Sequence, residues 1–232
     1  MRLLSTFPLI LLGIVVSFSG FSQTQKISLT CDTIKFNRNV YQDSLINFKL
    51  LYGKNHDVSK VDDQLALVYY VALSHYPELT NSKIKIRKKS IKSTMQAQPL
   101  WYFPLRNRAN RTYTIIVNND ANRTGMLYSD LDFNAQVGWM GHELAHILDY
   151  SKKTNKALTS FVFSYLFDKN ELKRTERKAD KTAIKHGLGG PLLEGVRFLH
   201  RSKKVHKKYK ESKKGNYMSA EEIILVINEQ CE

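Results

Sequence analysis

The order of sequence patterns along the chain predicts an α+β fold, with one helix first, then strands, then helices only. Three observations carry this. "VSKVDDQLALVYYVALSHYPEL" repeats apolar residues at helical spacing. "KIKIRKK" and "RTYTIIVNND" have the alternation or the β-branched content of strands. Everything from about residue 135 onward punctuates into helices. There is no internal repeat and no low-complexity linker, so the organisation is a leader at 1–22, a weakly patterned lead-in at 23–57 and one domain at 58–232.

Each element has a local reason. In the first helix, Val61, Leu65, Val68 and Ala72 share a face, Ser59 is the expected N-cap with Asp62 three residues on, and Pro77 ends the pattern. "KIKIRKK" alternates apolar and basic residues, as a half-exposed strand does, and "RTYTIIVNND" (111–120) stops at a turn-forming Asn-Asn-Asp. After a loop, a helix is predicted from about Ala135 to Tyr150, with Met140, Leu144, Ile147 and Leu148 on its buried face. "TSFVFSYLF" is a second apolar helix. "NELKRTERKADKTAIKHG" is a third, starting after an Asn cap and closed by Gly187. "GGPLLEGVRFL" opens a fourth with Pro191 in its first turn, and "YMSAEEIILVI" opens the last with Ser219 and Glu222 as a capping box.

Residues 1–22, "MRLLSTFPLILLGIVVSFSGFS", have the form of a secretory signal peptide. Arg2 precedes a short apolar core, and Gly20 and Ser22 occupy the −3 and −1 positions of a cut before Gln23. The alternative is a membrane anchor, for which the apolar run is short against ~30 Å of hydrocarbon. The expected location is therefore outside the cytoplasm, periplasmic or secreted. The chain has two cysteines, Cys31 and Cys231. In an oxidising compartment they allow one bridge joining the two ends of the mature chain; otherwise they are independent thiols. Neither has metal-ligand spacing, which excludes a zinc finger. "SLTC" lacks the small residue that normally precedes a lipid-modified cysteine.

The formal charge of +15 drops to +14 once Arg2 leaves with the leader. For an exported protein this points away from nucleic acid and toward anionic membrane surface, acidic envelope polymers or acidic proteins. The charge concentrates in 197–214, "RFLHRSKKVHKKYKESKK", where Glu211 alone opposes nine Lys and Arg. The segment is either a solvated helix face with Leu199, Val205 and Tyr209 turned inward or a dedicated binding surface.

"VGWMGHELAHILDY" (137–150) sets His142 and His146 four residues apart, on one helix face, where both imidazoles reach one metal ion. Glu143, one position round, reaches a water on that ion. A catalytic site needs a third protein ligand, and "TERKAD" offers Glu176 thirty residues after His146 on a separate helix. Asp180 follows at i+4 on the same face, placed to accept the free N–H of a ligating histidine, and Ala179 is small enough for close helix packing. Alone, Glu176 and Asp180 would read as surface charges on a polar helix.

With both motifs present, the chain resembles the gluzincin metallopeptidases, zincins with a glutamate as third ligand. "HELAH" matches the first motif of that family and "ERKAD" looks like its E-x-x-A-D second motif, over roughly 111–190. The resemblance implies a zincin-like domain with a small sheet, an active-site helix and a mostly helical C-terminal part, and a length that suits a minimal gluzincin. It implies one Zn²⁺ held by His142, His146 and Glu176, with Glu143 as general base and Asp180 supporting a ligand. It also implies that "TYTIIVN" is the edge strand beside the cleft, to which an extended peptide adds through main-chain hydrogen bonds.

Tyr217, in "GNYMSAEE", is a candidate stabiliser of the oxyanion or else a core or capping tyrosine. Asp149, three past His146, either supports the site or ends the helix, and His75, His186, His200 and His206 lack ligand spacing. The expected function is an exported zinc peptidase, an endopeptidase acting on protein or peptide. The alternative is a basic envelope-binding protein whose zinc is structural. Mature protein is expected to begin at Gln23 or within a few residues of it, which N-terminal sequencing checks; intact Met1 on mature material would overturn export.

Overall fold

In the computed structural model, which describes residues 28–30 and 33–231, apolar alternation builds a four-stranded sheet. The predicted leader 1–22 and Cys31 lie outside the described residues. Strand β1 is His56–Asp57, β2 is Lys83–Lys89, β3 is Met95–Pro99 and β4 is Thr112–Asn118, in the spatial order β1-β2-β4-β3. β1, β2 and β4 run parallel and β3 antiparallel to β4. In β2 the side chains of Ile84 and Ile86 are buried while those of Lys83, Lys85 and Arg87 are not, as the period-2 pattern requires.

β4 corrects one expectation: "TYTIIVN" is a central strand, paired on both sides, and the edge strands are β1 and β3, with β3 beside β4. The reason lies in composition. β4 is buried from Tyr113 to Asn118, and a near-continuous apolar run suits a strand covered on both faces. β3, "MQAQP", has no β-branched residue and includes Pro99, which an edge tolerates; no sequence signal announces it.

The helices are α1 (Arg38–Tyr41), α2 (Leu45–Tyr52), α3 (Asp63–Leu73), α4 (Phe133–Lys152), α5 (Asn155–Phe167), α6 (Lys169–Ala183), α7 (Gly189–Arg201), α8 (Lys207–Lys213) and α9 (Ala220–Asn228). The fold is thus α+β, a small mixed sheet with a predominantly helical remainder. The segment 23–57, weak in pattern, contributes α1, α2 and β1. Two caps differ from expectation. Asp62, rather than Ser59, caps α3, because Ser59 is already donating to Asp57. Asp168, rather than an asparagine, caps α6 by accepting from the Asn170 N–H.

α4 is the axis of the molecule and packs against α3, α6, α7 and β3. Its crossing with α7 is a backbone contact: a Cβ on Gly138 would sit 2.3 Å from the carbonyl carbon of Pro191. At its far end, the buried Arg111 guanidinium donates to the carbonyls of Tyr150 at 3.2 Å and Lys153 at 2.8 Å. A cation there satisfies the open carbonyls of the helix terminus and complements its dipole. Between α6 and α7 the chain bends over Ile184–Leu188, where Gly187 has φ +79°. A Cβ at Gly187 would meet only ordinary contacts, so the backbone angle, and not space, calls for glycine.

A second apolar cluster, including Ile184, Leu193, Ile223 and Ile227, ties α7 to α9. The capping box of α9 forms as expected, with the Ser219 hydroxyl accepting from the Glu222 N–H and the Glu222 carboxylate accepting from the Ser219 N–H. Near the end of α9, Asn228 accepts from the Thr30 N–H at 3.0 Å and donates to the Ser28 carbonyl at 3.0 Å. This clamp brings the segment before position 31 to the last helix. Cys231 is disulfide-bonded, and Cys31 is the other cysteine of the chain. In the chain-entropy model a bridge closing so long a loop stabilises by up to about 5 kcal/mol. Thiol titration of denatured protein is expected to find two more thiols after reduction than before; equal counts would exclude the bridge.

Candidate metal centre

Burial of polar side chains is the first sign of the site. α6 is strongly polar, yet Thr175, Glu176, Ala179, Asp180 and Ala183 form a buried stripe along it, at the i, i+3, i+4 spacing of one helix face. That stripe packs against α4, where His142, Glu143 and His146 are also buried beside the apolar face of Met140, Leu144, Ile147 and Leu148. Unpaired charge in such a place costs several kcal/mol, so these groups must satisfy one another or an ion.

They converge. His142 Nε2 lies 3.1 Å from His146 Nε2 and 3.2 Å from Glu176 Oε2, and His146 Nε2 lies 3.5 Å from the same oxygen. These three donor atoms form the one group among the described residues that can hold a metal ion. The other ring nitrogen of His142 is engaged: Nδ1 donates to Asp180 Oδ1 at 2.7 Å, and Asp180 Oδ2 accepts from the Met218 N–H at 2.9 Å. With its proton on Nδ1, the imidazole turns the Nε2 lone pair to the shared centre.

The electrostatics ask for positive charge at that centre. Burial pulls the His142 pKa down, but Asp180 and Glu176 outweigh it and push it up to about 10. Burial pushes Glu176 up, but His146 and His142 hold it well below the usual carboxylate range. In effect a proton on imidazole does what a cation between the three donors would do, and the residues fit a divalent metal ion.

Glu143 is differently placed. Burial raises its pKa, and the histidines offset part of that. Its carboxylate makes no hydrogen bond or ion pair among the described residues, and it lines a cavity of about 1240 Å³ together with His142 and Tyr217. The Tyr217 ring lies 5.4 Å from that of His142, and its hydroxyl accepts from Lys213 Nζ at 2.6 Å. The cavity also touches Thr94 and Met95, at the start of the edge strand β3.

Two participants had no signal in the sequence. The Tyr165 hydroxyl, from α5, donates to Glu176 Oε1 and so fixes the oxygen turned away from the histidines. Only the tight turn between α5 and α6 puts it there. Lys213 hides within the basic run 197–214. Asp149 is not part of the site: it pairs with Lys153 and Lys178. His75 and His186 form their own contact, Nδ1 of His75 to the His186 carbonyl at 2.8 Å.

No known protein family, curated protein sequence or solved structure matches the chain.

Two substitutions test the assignment by metal analysis. Glu176→Ala removes one of three donors and is expected to lose most bound metal. Asp180→Ala leaves the donors but frees the His142 ring, and is expected to weaken affinity about 10–100-fold. Stoichiometric metal at parental affinity in Glu176→Ala would move the third ligand elsewhere.

Proposed function

We propose that the chain is an exported zinc-dependent peptidase, with His142, His146 and Glu176 as zinc ligands and Glu143 as general base. Zinc is the ion the donor set suits: donors at about 2.0–2.1 Å in a tetrahedron stand roughly 3.3 Å apart. The observed separations are 3.1, 3.2 and 3.5 Å. Two imidazoles and one carboxylate leave a fourth position open, as hydrolytic zinc sites do. The resemblance of "HELAH" and "ERKAD" to the gluzincin motifs supports the same reading.

One observation carries the enzymatic reading over a structural one. Glu143 is a buried carboxylate beside the ligands, without a hydrogen-bond partner among the described residues, opening onto a cavity. For a site that only holds helices together, such a group is a cost with no return. For hydrolysis it is a base in position.

A zinc ion held by His142, His146 and Glu176 would supply Lewis acidity, making water acidic enough to attack near neutral pH and polarising the scissile carbonyl. Glu143 takes the proton of the attacking water and then delivers it to the leaving amine; its raised pKa suits a group that must hold that proton in between. Asp180 keeps His142 in the ligating tautomer, and Tyr165 keeps Glu176 from swinging. Tyr217, bonded to Lys213 and facing the cavity, is the candidate donor for the oxyanion. The open edge of β3 is where an extended peptide would add as a further strand. Export rests on the leader at 1–22.

The competing reading, a basic envelope-binding protein with a structural zinc, has segment 197–214 in its favour. Glu143→Gln separates the two. It keeps size and hydrogen bonding but cannot accept a proton, so zinc content and thermal stability should stay near parental values. Turnover of a peptide cleaved by the parent should fall by at least ~10²–10⁴-fold. Undiminished cleavage by Glu143→Gln would leave a metal site with no hydrolytic role for this residue.

A further inference from the structure

The cavity in front of Glu143 has an apolar floor and a charged rim. Trp139 of α4 with Leu192 and Val196 of α7 make the floor. Lys173 of α6, Arg201 at the end of α7, and Lys213 and Lys214 at the end of α8 stand around it. The two remaining cations of the wall are already neutralised: Arg177 by Glu222 at 2.5 Å and Arg197 by Glu194 at 3.0 Å.

Lys173, Arg201 and Lys214 make no ion pair among the described residues. Lys213 is held against tyrosine, with Nζ 4.2 Å from the centre of the Tyr217 ring. On the acidic side, Glu143 and Asp180 belong to the metal site and Glu222 is paired, which leaves Glu221 as the one other carboxylate of the wall. The cavity therefore carries excess positive charge within reach of the general base.

This also divides the basic segment 197–214. Leu199, Val205 and Tyr209 turn into the core, as a solvated helix face requires. Arg197, Arg201, Lys213 and Lys214 border a concave, apolar-floored space. A flat lipid surface cannot fill such a space, whereas a peptide side chain can.

We propose that this cavity is the substrate subsite and that it selects peptides with an acidic side chain next to an apolar one. The carboxylate meets Arg201, Lys213 and Lys214, and the apolar group rests on Trp139, Leu192 and Val196. This rests on the peptidase reading, but binding and cleavage test it separately.

The zinc-loaded mature chain is given three peptide pools that differ only in Glu, Gln or Lys beside an apolar residue. The Glu pool is expected to be cleaved about fivefold faster than the Gln pool per charge met, with the Lys pool slowest, and the preference should shrink as salt rises. Arg201→Glu combined with Lys214→Glu should invert the order of the Glu and Lys pools. By calorimetry, Glu143→Gln protein should bind a Glu peptide more tightly than its Lys counterpart. If no pool is cleaved yet that binding preference holds, the peptidase reading falls and the acidic subsite stands. Equal cleavage and equal binding of the three pools would overturn the subsite. Vesicles of phosphatidylglycerol are the control: attachment abolished by the double variant, with all pools treated alike, would also overturn it and assign the cations to a surface.

Discussion

Charge balance in a water-poor contact between two helices governs this molecule. Glu176 and Asp180 on α6 face His142 and His146 on α4, and all four are buried. Two carboxylates held there are tolerable only with compensating positive charge, from imidazole protons or from an ion. The constraint dictates the pairing: one carboxylate meets the Nδ1 side of His142 and the other the Nε2 side shared with His146. Separation of those roles is what distinguishes a ligand from the group that orients it.

The surrounding fold keeps these atoms in register. Gly138 lets α7 approach the backbone of α4, Arg111 closes the far end of α4, and the Tyr76 hydroxyl donates to the Gly141 carbonyl at 2.7 Å, one residue before the first histidine. The segment before α9 contributes the Met218 N–H that fixes Asp180. Elements distant in sequence thus restrain a site whose polar atoms come from two helices, which is how a preorganised centre avoids rearrangement when it is used.

Legibility in the sequence followed the physics of each signal. His142, Glu143 and His146 were readable because one helix turn fixes their relation without knowledge of the fold. Glu176 and Asp180 were readable only as a second helical spacing; that the two helices meet came from tertiary packing. β2 and β4 showed their strand pattern, but β4's place at the sheet centre and the existence of β3 did not, since "MQAQP" is held by its neighbour β4 more than by its own propensity. Tyr165 and Lys213 had no local pattern at all, because each reaches the site across a turn or a crowded basic run. The caps fall to Asp62, since Ser59 bonds Asp57 instead, and to Asp168, since Asn170 lies inside the first turn of α6 and donates its N–H to that cap.

The bend at Gly187 has a consequence for how such a protein can diversify. α6 carries Glu176 at its middle and Asp180 one turn on, and α7 contributes Leu192 and Val196 to the wall of the cavity, with one left-handed residue at the joint between the helices. The candidate metal donor of α6 and the cavity wall of α7 therefore sit on successive helices joined by one short bend. Substitutions along α7 can re-contour the wall while the carboxylates upstream stay fixed. A change at position 187 itself would alter the angle between the two, moving the wall and the buried carboxylates together. The glycine thus partitions the variation this architecture tolerates.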